Sequence, residues 1–231
     1  MKHHGYEKQV RIIRKDCRQV VMGKDMANRA DLLVMELFDY GFLGEGCLHF
    51  VHFAWNNVLK EDALILPRGG RILAMLVQLL PDDVEGFDLS PWAVFRFQSD
   101  YYGIDLRNQP HVRLSEPFEV FDFDFGADDI DDALPVQAKK KLEFAAKADA
   151  TFNGVVFWFQ LQMVQEGFDE SYGNAPDLEG TGGPRPAGAL NQALQWVDPV
   201  KVKRGQTIRL NASHNSTRIR FEVLAPERLL P

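Results

Sequence analysis

Residues 31 to 48, DLLVMELFDYGFLGEGCL, restrict what this chain can fold into more than any other stretch. An apolar run delivers one glutamate, the chain turns through glycines, and a second glutamate follows nine positions later. Asp31 to Glu36 has the near-continuous apolar character of a strand buried on both faces, as parallel strands in α/β sheets are. Glu36 then stands at the strand's carboxyl end, beyond which open α/β sheets bind their ligands. Gly41 and Gly44 supply backbone angles closed to other residues, so the turn is expected to bring Glu45 back toward Glu36.

A chain of 231 residues that is 45% hydrophobic can build a real core, as one large domain or two small ones. Its 33 acids against 26 bases give a formal charge of -7, which argues against a general nucleic-acid binder and favours cationic partners. Cys17 and Cys47 lie in apolar-rich surroundings without CxxC spacing, so neither a disulfide scaffold nor a zinc site is indicated, and Cys17 reads as a small buried apolar residue. No apolar run approaches the roughly 20 residues that span a bilayer, and no signal-peptide pattern opens the chain. The cytosol or nucleus is the expected compartment.

Along the chain, residues 9 to 15, QVRIIRK, read as a short strand, and 16 to 30 as a polar connection. Apolar positions from Cys47 to Leu59 fit a helix, with Asp62 and Pro67 bounding the segment. After Pro67 and the Gly69-Gly70 pair the texture changes to short β-rich runs: RILAMLVQLL, AVFRF, VRLSEPFEVFDFDF, FNGVVFWFQLQM, QALQWV, QTIRLNAS and TRIRFEVL. Such spacing predicts a sandwich or barrel and a domain boundary near residue 67. Phe121, Phe123 and Phe125 fall on one strand face against Asp122 and Asp124. ADDIDDALP reads as a solvated acidic turn, and Glu166 to Gly188, rich in glycine and proline, as a surface loop, mobile or held by a ligand. His49 and His52 share a helix face as packing or surface histidines. Phe95, Phe97, Tyr101 and Tyr102 suit either a barrel core or an interface.

The glutamate pair suits one chemical task. A guanidinium is planar, stays charged because its pKa exceeds about 12, and is a poor nucleophile. Two converging carboxylates can hold it by charge-assisted hydrogen bonds and draw positive charge toward the nitrogens they contact, leaving the remaining nitrogen better able to attack. The spacing equally allows a local role, in which Glu36 caps or pairs nearby and Glu45 begins the next helix at the positive end of its dipole.

DLLVMELFDYGFLGEGCL, the segment containing HFAWNNVL, and DALILPRGGRILAMLVQ resemble the double-glutamate loop and barrel entry of protein arginine methyltransferases. The resemblance is strongest to the branch of monomethylating and symmetric-dimethylating members, and with the β-rich runs downstream it extends from about Gln9 to Val223. It implies an α+β fold: a partial Rossmann-like α/β methyltransferase remnant over residues 1–67, followed by a β-barrel domain for substrate and dimerisation over 68–231. It also implies methyl transfer from S-adenosylmethionine to arginine in a protein or peptide, with Glu36 and Glu45 clamping the guanidinium. Asp16, Cys17 and Arg18 fall where the family touches adenine, and Asp39, Gly44, Asn191 and Gln192 take the places of substrate contacts. A homodimer, or a heterodimer with a complete homologue, is the implied assembly, with no nucleic acid and no membrane.

The chain departs from the family in three places. The glycine-rich turn that cradles the cofactor's methionine part and the acid that holds its ribose are not in the sequence, which starts at the family's third strand. Gly180-Thr181-Gly182-Gly183 lacks a preceding strand and does not replace that turn. Where relatives carry a Thr-His-Trp loop, this chain reads Gly188-Ala189-Leu190 before Asn191-Gln192. The expectation is a truncated protein-arginine N-methyltransferase. A catalytically inactive arginine-binding scaffold or partner of a complete homologue is the alternative, and an incomplete gene reading is a third account.

Overall fold

The structure is a computed structural model, and it describes residues 4–80, 83–84, 87–88, 100–163, 172–178 and 190–224. Strand β1 (Ala30–Val34) leads through the glutamate loop into helix α1 (Cys47–Asn57), and β2 (Leu59–Leu66) returns to pair with β1 in parallel, Leu33 opposite Ile65. Cys47, Leu48, Val51 and Ala54 are buried at the i, i+1, i+4, i+7 spacing of one helix stripe. Burying leucine or valine there contributes about 2 kcal/mol each and holds α1 on the core. Trp55 fixes its far end by donating its indole N–H to the Phe125 carbonyl at 2.8 Å.

Beyond the cis Leu66–Pro67 bond the chain is antiparallel. It continues through β3 (Gly69–Leu79), β4 (Asp83–Val84), β5 (Phe87–Asp88), β6 (Tyr102–Ile104), β7 (His111–Arg113) and β8 (Phe118–Asp124). Helix α2 (Ile130–Ala133) and strands β9 (Ala138–Ala145), β10 (Ala150–Gln162), β11 (Gln192–Val202), β12 (Thr207–His214) and β13 (Ile219–Val223) complete it. One sheet runs β6-β11-β10-β3-β7 with β8 also on β3; a second runs β13-β12-β9; β4 and β5 pair by themselves.

Side chains alternate across a strand, and here both faces of the large sheet are covered. Ile72, Ala74, Leu76, Phe157 and Phe159 belong to the main core, while Met75, Val77, Val156, Trp158 and Leu194 form a second one. The near-continuous apolar runs of β3 and β10 are the consequence. The two antiparallel sheets meet through Phe118 on Phe144, with ring centroids 4.1 Å apart, and Phe157 on Phe221 at 5.4 Å. Gln195 joins them as well, donating to the Phe221 carbonyl at 2.6 Å and accepting from the Phe221 N–H at 2.8 Å.

Several expectations change. Residues 9 to 15 form no strand, and the backbone bonds there are turn bonds such as Val10 N–H to the Tyr6 carbonyl. β1 is not buried on both faces: Leu32 and Val34 are 49% and 68% exposed, and Leu64 of β2 is 65% exposed, because among the described residues nothing covers that side of the pair. β2 replaces the expected end of a helical segment, and β9, a lysine-rich run given no structure in the sequence reading, is a full strand paired with β12. Part of the 166–188 loop is not surface, since Asn174 is buried and Ala175 and Leu178 cover the second core. AVFRF, with Phe95 and Phe97, lies outside the described residues, as do Gly180 to Gly183 and Gly188-Ala189. No helix among the described residues is long and apolar enough to cross a membrane.

Candidate functional site

The loop from Glu36 to Gly46 is anchored by Phe42. Its backbone lies in the left-handed region at φ 78°, which costs a side-chain-bearing residue about 1–2 kcal/mol, yet its ring is fully buried. That ring stacks on Phe38 at 4.8 Å and sits 5.6 Å from Phe123 and 5.4 Å from Phe159. Burying a phenylalanine contributes about 2–3 kcal/mol and aromatic pairing adds to it, so the strained turn is the favourable arrangement. Gly70 of β3 makes the space, since a Cβ there would lie 2.7 Å from the Phe42 ring.

Asp39 ties the turn together. Its Oδ1 accepts from the N–H groups of Gly41 at 3.2 Å and Gly44 at 2.8 Å, and its Oδ2 accepts from the Tyr101 hydroxyl at 2.8 Å. Burial, reinforced by the Asp39 carboxylate, holds the Tyr101 hydroxyl far above its ordinary range, so it remains a donor. Gly41 and Gly44 therefore serve differently from the expectation. Neither has a positive φ; a Cβ would lie 2.5 Å from the Tyr101 ring at Gly41 and 2.2 Å from the Asp39 carboxylate at Gly44. The left-handed angles belong to Phe42 and to Gly46, which precedes α1 at φ 81°.

With Asp39 engaged inside the loop, the two glutamates stand at its ends. Glu36 follows Met35, whose N–H donates to the Leu66 carbonyl as the last bond of the parallel pair, and Glu45 directly precedes Gly46. Both are exposed, and no hydrogen bond or ion pair involves either carboxylate among the described residues. Helix α1 starts at Cys47 with Gly46 as its N-cap, so Glu45 lies outside the helix and caps nothing. Cys47 is buried, its thiol pushed up to about 12 by burial, and points at the Phe42 carbonyl.

The remaining candidates are distributed around this loop. Asp16 caps the short 3₁₀ turn of residues 17–19, which packs beside α1. Its Oδ1 accepts from the Arg18 N–H and Nε, and its Oδ2 from Arg18 Nη2 at 2.7 Å, so the guanidinium holds this carboxyl at about 2. Cys17 is exposed rather than buried, as no residue of its turn is buried. Gln192 is fully buried, its amide donating to the Asn174 carbonyl at 2.7 Å and accepting from the Leu106 N–H at 3.1 Å. Asn191 adjoins it and accepts at its carbonyl from Asn174 at 2.6 Å. Sequence reasoning did not single out Asn174, and nothing in the run Gly173-Asn174-Ala175-Pro176 separates it from an ordinary turn residue.

His49 and His52 project from α1 toward the other elements: His49 meets the Ser216 hydroxyl, and His52 Nε2 meets the Leu134 carbonyl at 2.8 Å. A separate cleft of about 830 Å³ is lined by Arg29, Asp62, Asp128, Asp129 and Asp131 and includes neither glutamate. Arg29 donates there to the Asn56 carbonyl near the end of α1 and to the Leu59 carbonyl that opens β2, and Asp129 caps α2, so local structure accounts for these two residues.

No family model matches the chain. It is 27% identical over 230 residues to an arginine N(omega)-methyltransferase of Streptomyces achromogenes subsp. streptozoticus, covering 95% of this chain and 59% of that one. It is 26% identical over 253 residues to protein arginine N-methyltransferase 1.6 of Arabidopsis thaliana (99% and 34%), and 29% identical over 176 residues to protein arginine N-methyltransferase 7 of Drosophila mojavensis (68% and 25%). The chain thus spans between a quarter and three fifths of the length of these relatives. Among solved structures, a chain of the Trypanosoma brucei PRMT1 enzyme-prozyme heterotetrameric complex with AdoHcy superposes with a TM-score of 0.66 at 16% identity, covering 99% of this chain and 73% of that one. The mostly β architecture is therefore a fold shared with that chain, and the sequence is similar at 26–29% identity to these arginine N-methyltransferases.

Proposed function

We propose that this chain carries the arginine-reading part of a protein-arginine N-methyltransferase, with Glu36 and Glu45 holding the substrate guanidinium. The observation that carries this reading is the freedom of those two carboxylates at the ends of a loop whose third acid, Asp39, is fully occupied. Against the local alternative, Glu45 precedes the Gly46 N-cap instead of entering α1, and Glu36 pairs with no neighbour among the described residues. Two carboxylates facing one planar cation hold it by charge-assisted, fork-like hydrogen bonds, which orients the nitrogen left over and disfavours a lysine ammonium of different shape. Asp39 and Gly44 act on substrate through the loop geometry they fix, and Gln192, buried and doubly bonded, supports rather than touches the bound arginine.

S-adenosylmethionine is the donor that this reading implies, supplying an electrophilic methyl group. Residues 16–18 fit it poorly as they stand: Asp16 is paired with Arg18, its Oδ1 accepting from the Arg18 N–H and Nε and its Oδ2 from Nη2, so the carboxylate is committed to this ion pair rather than to an adenosyl group. No step through the donor is assigned to these residues. That occupied carboxylate favours a second reading, in which the chain binds arginine as a partner of a complete homologue. The shared fold with a chain from an enzyme-prozyme complex accords with it.

A glycine- and arginine-rich peptide with isotope-labelled S-adenosylmethionine separates the two. Label transferred by the chain alone supports the catalytic reading; label gained only when a complete protein arginine methyltransferase is added supports the partner reading. Under both, Glu36→Gln or Glu45→Gln weakens peptide binding by about 10- to 100-fold, the range for one hydrogen bond to a charged group. Binding that is indifferent to both substitutions rejects the clamp.

A further inference from the structure

We infer that Asn174 is a positioning residue that sets the depth of the glutamate loop against the Asn191-Gln192 segment. β11 covers one edge of β10 only as far as Phe157, opposite Ala193. Beyond that point residues 172–174 take over the edge: Leu161 donates to the Tyr172 carbonyl at 2.8 Å, and Asn174 donates to the Phe159 carbonyl at 3.2 Å. Gly173 permits this approach, since a Cβ there would lie 2.3 Å from the Phe159 carbonyl oxygen. Asn174 is thereby carried inside, where it is 1% exposed.

A side-chain amide has two N–H donors and a carbonyl acceptor, and the surroundings of Asn174 engage both ends. Its Oδ1 accepts from the Phe159 N–H at 2.8 Å, while its Nδ2 donates to the Tyr40 carbonyl at 2.9 Å and to the Asn191 carbonyl at 2.6 Å. The network fixes the amide orientation, because a flipped group would set oxygen against two carbonyls. One residue thus holds β10, the centre of the glutamate loop and the start of β11. Gln192 extends the connection to Leu106 on the second core. Tyr40 lies midway between Glu36 and Glu45, so pinning its carbonyl fixes how far the loop stands from the sheet. Asp39 closes the turn and ties it to Tyr101, Phe42 anchors it in the core, and Asn174 adds a polar tie from the loop's midpoint to β10 and the start of β11.

The identity of the residue matters. Aspartate keeps the shape and the acceptor but opposes both carbonyls with an oxygen, and serine is too short to span them. In the full chain, Asn174→Asp accelerates hydrogen–deuterium exchange of residues 37–46 by about ten-fold, the value of one lost bond, and leaves β12 and β13 unchanged. Asn174→Ser serves as the second variant, should a buried carboxylate prevent folding. An unaltered loop, or uniform acceleration throughout the chain, overturns the inference.

A second measurement rests on the clamp reading. The ratio of affinities for an arginine peptide and its lysine counterpart falls by about ten-fold in the variant, while lysine-peptide binding stays constant. A purely structural role would leave that ratio unmoved, and an unmoved ratio overturns the inference. If the wild-type chain shows no preference for arginine, the clamp reading fails by itself and the exchange data decide the role of Asn174.

Discussion

Asp39 receives three donors, two from inside the loop and one, the Tyr101 hydroxyl, from the antiparallel β part of the chain, 62 residues away. A carboxylate bonded this way closes a turn more firmly than neutral groups can, because each bond is charge-assisted. Replacing Tyr101 with phenylalanine removes one of them and leaves the ring packed edge-on against Phe157 at 5.1 Å. The expected cost is about 1.5 kcal/mol, read as a lower midpoint in urea with an unchanged slope; an unshifted midpoint would show the bond to be incidental. This is also where sequence reading reaches its limit at single residues. The placement of Glu36 and Glu45 at the two ends of one turn is readable in the sequence because their spacing and the glycines between them are local. The bond from Tyr101 to Asp39 is not readable there, because nothing near Asp39 announces Tyr101. The glycines were assigned to backbone freedom when their role is proximity, which only the positions of Tyr101 and the Asp39 carboxylate reveal. The two cysteines have comparable sequence surroundings, yet Cys47 falls on the buried stripe of α1 and Cys17 on a short turn with no buried residue.

Among elements, the parallel pair β1–β2 differs most from what its composition implies. Apolar runs read as doubly buried strands, which describes β3 and β10, but Leu32, Val34 and Leu64 face outward. Residues 9 to 15 have strand-like composition and no ladder partner among the described residues, and a strand exists only where its N–H and C=O groups are paired. β9 presents the opposite case. Its lysines concealed a strand whose Leu142 and Phe144 alternate with charge, and at a sheet edge such charges discourage further pairing. In β1 and β2 the charges, Asp31 and Lys60 to Asp62, stand toward the first residues of the strands, and the exposed Val34 and Leu64 lie beyond them. Joint replacement Val34→Lys and Leu64→Lys is expected to change stability by less than about 0.5 kcal/mol, as exposed positions do, and to raise the protein concentration at which light scattering begins. Loss of stability, or scattering unchanged in onset, would mean that these side chains are more covered than their exposure indicates.

Over the whole molecule, the alternation of apolar and polar runs after residue 67 disclosed most strands of the two antiparallel sheets. It did not disclose how the sheets meet, because those contacts join residues far apart in sequence. His214 belongs to one of these meetings. Carried on β12, it is packed edge-on against Phe121 at 4.7 Å and Phe123 at 5.3 Å, both from β8 of the other sheet, with Nδ1 on the Asn215 carbonyl at 3.1 Å. Burial holds the imidazole's pKa below its ordinary 6.5. In the unfolded chain the ring titrates near 6.5, so between the two values the unfolded state binds more protons and stability rises with pH. This contribution is complete above 6.5 and is lost as pH falls through the folded-state value. The depressed carboxylates Asp25, Asp31 and Asp149 lose their contribution only below 3.8, a separate window. Asp122, raised by burial, acts in the opposite sense above 3.8, but does so with or without His214. Thermal unfolding measured from about pH 7 to about pH 5 should therefore show a falling midpoint in the wild-type chain and a shallower fall in His214→Phe, which keeps the aromatic packing and cannot be protonated. Parallel slopes in the two proteins would remove His214 as the source of acid sensitivity between the sheets.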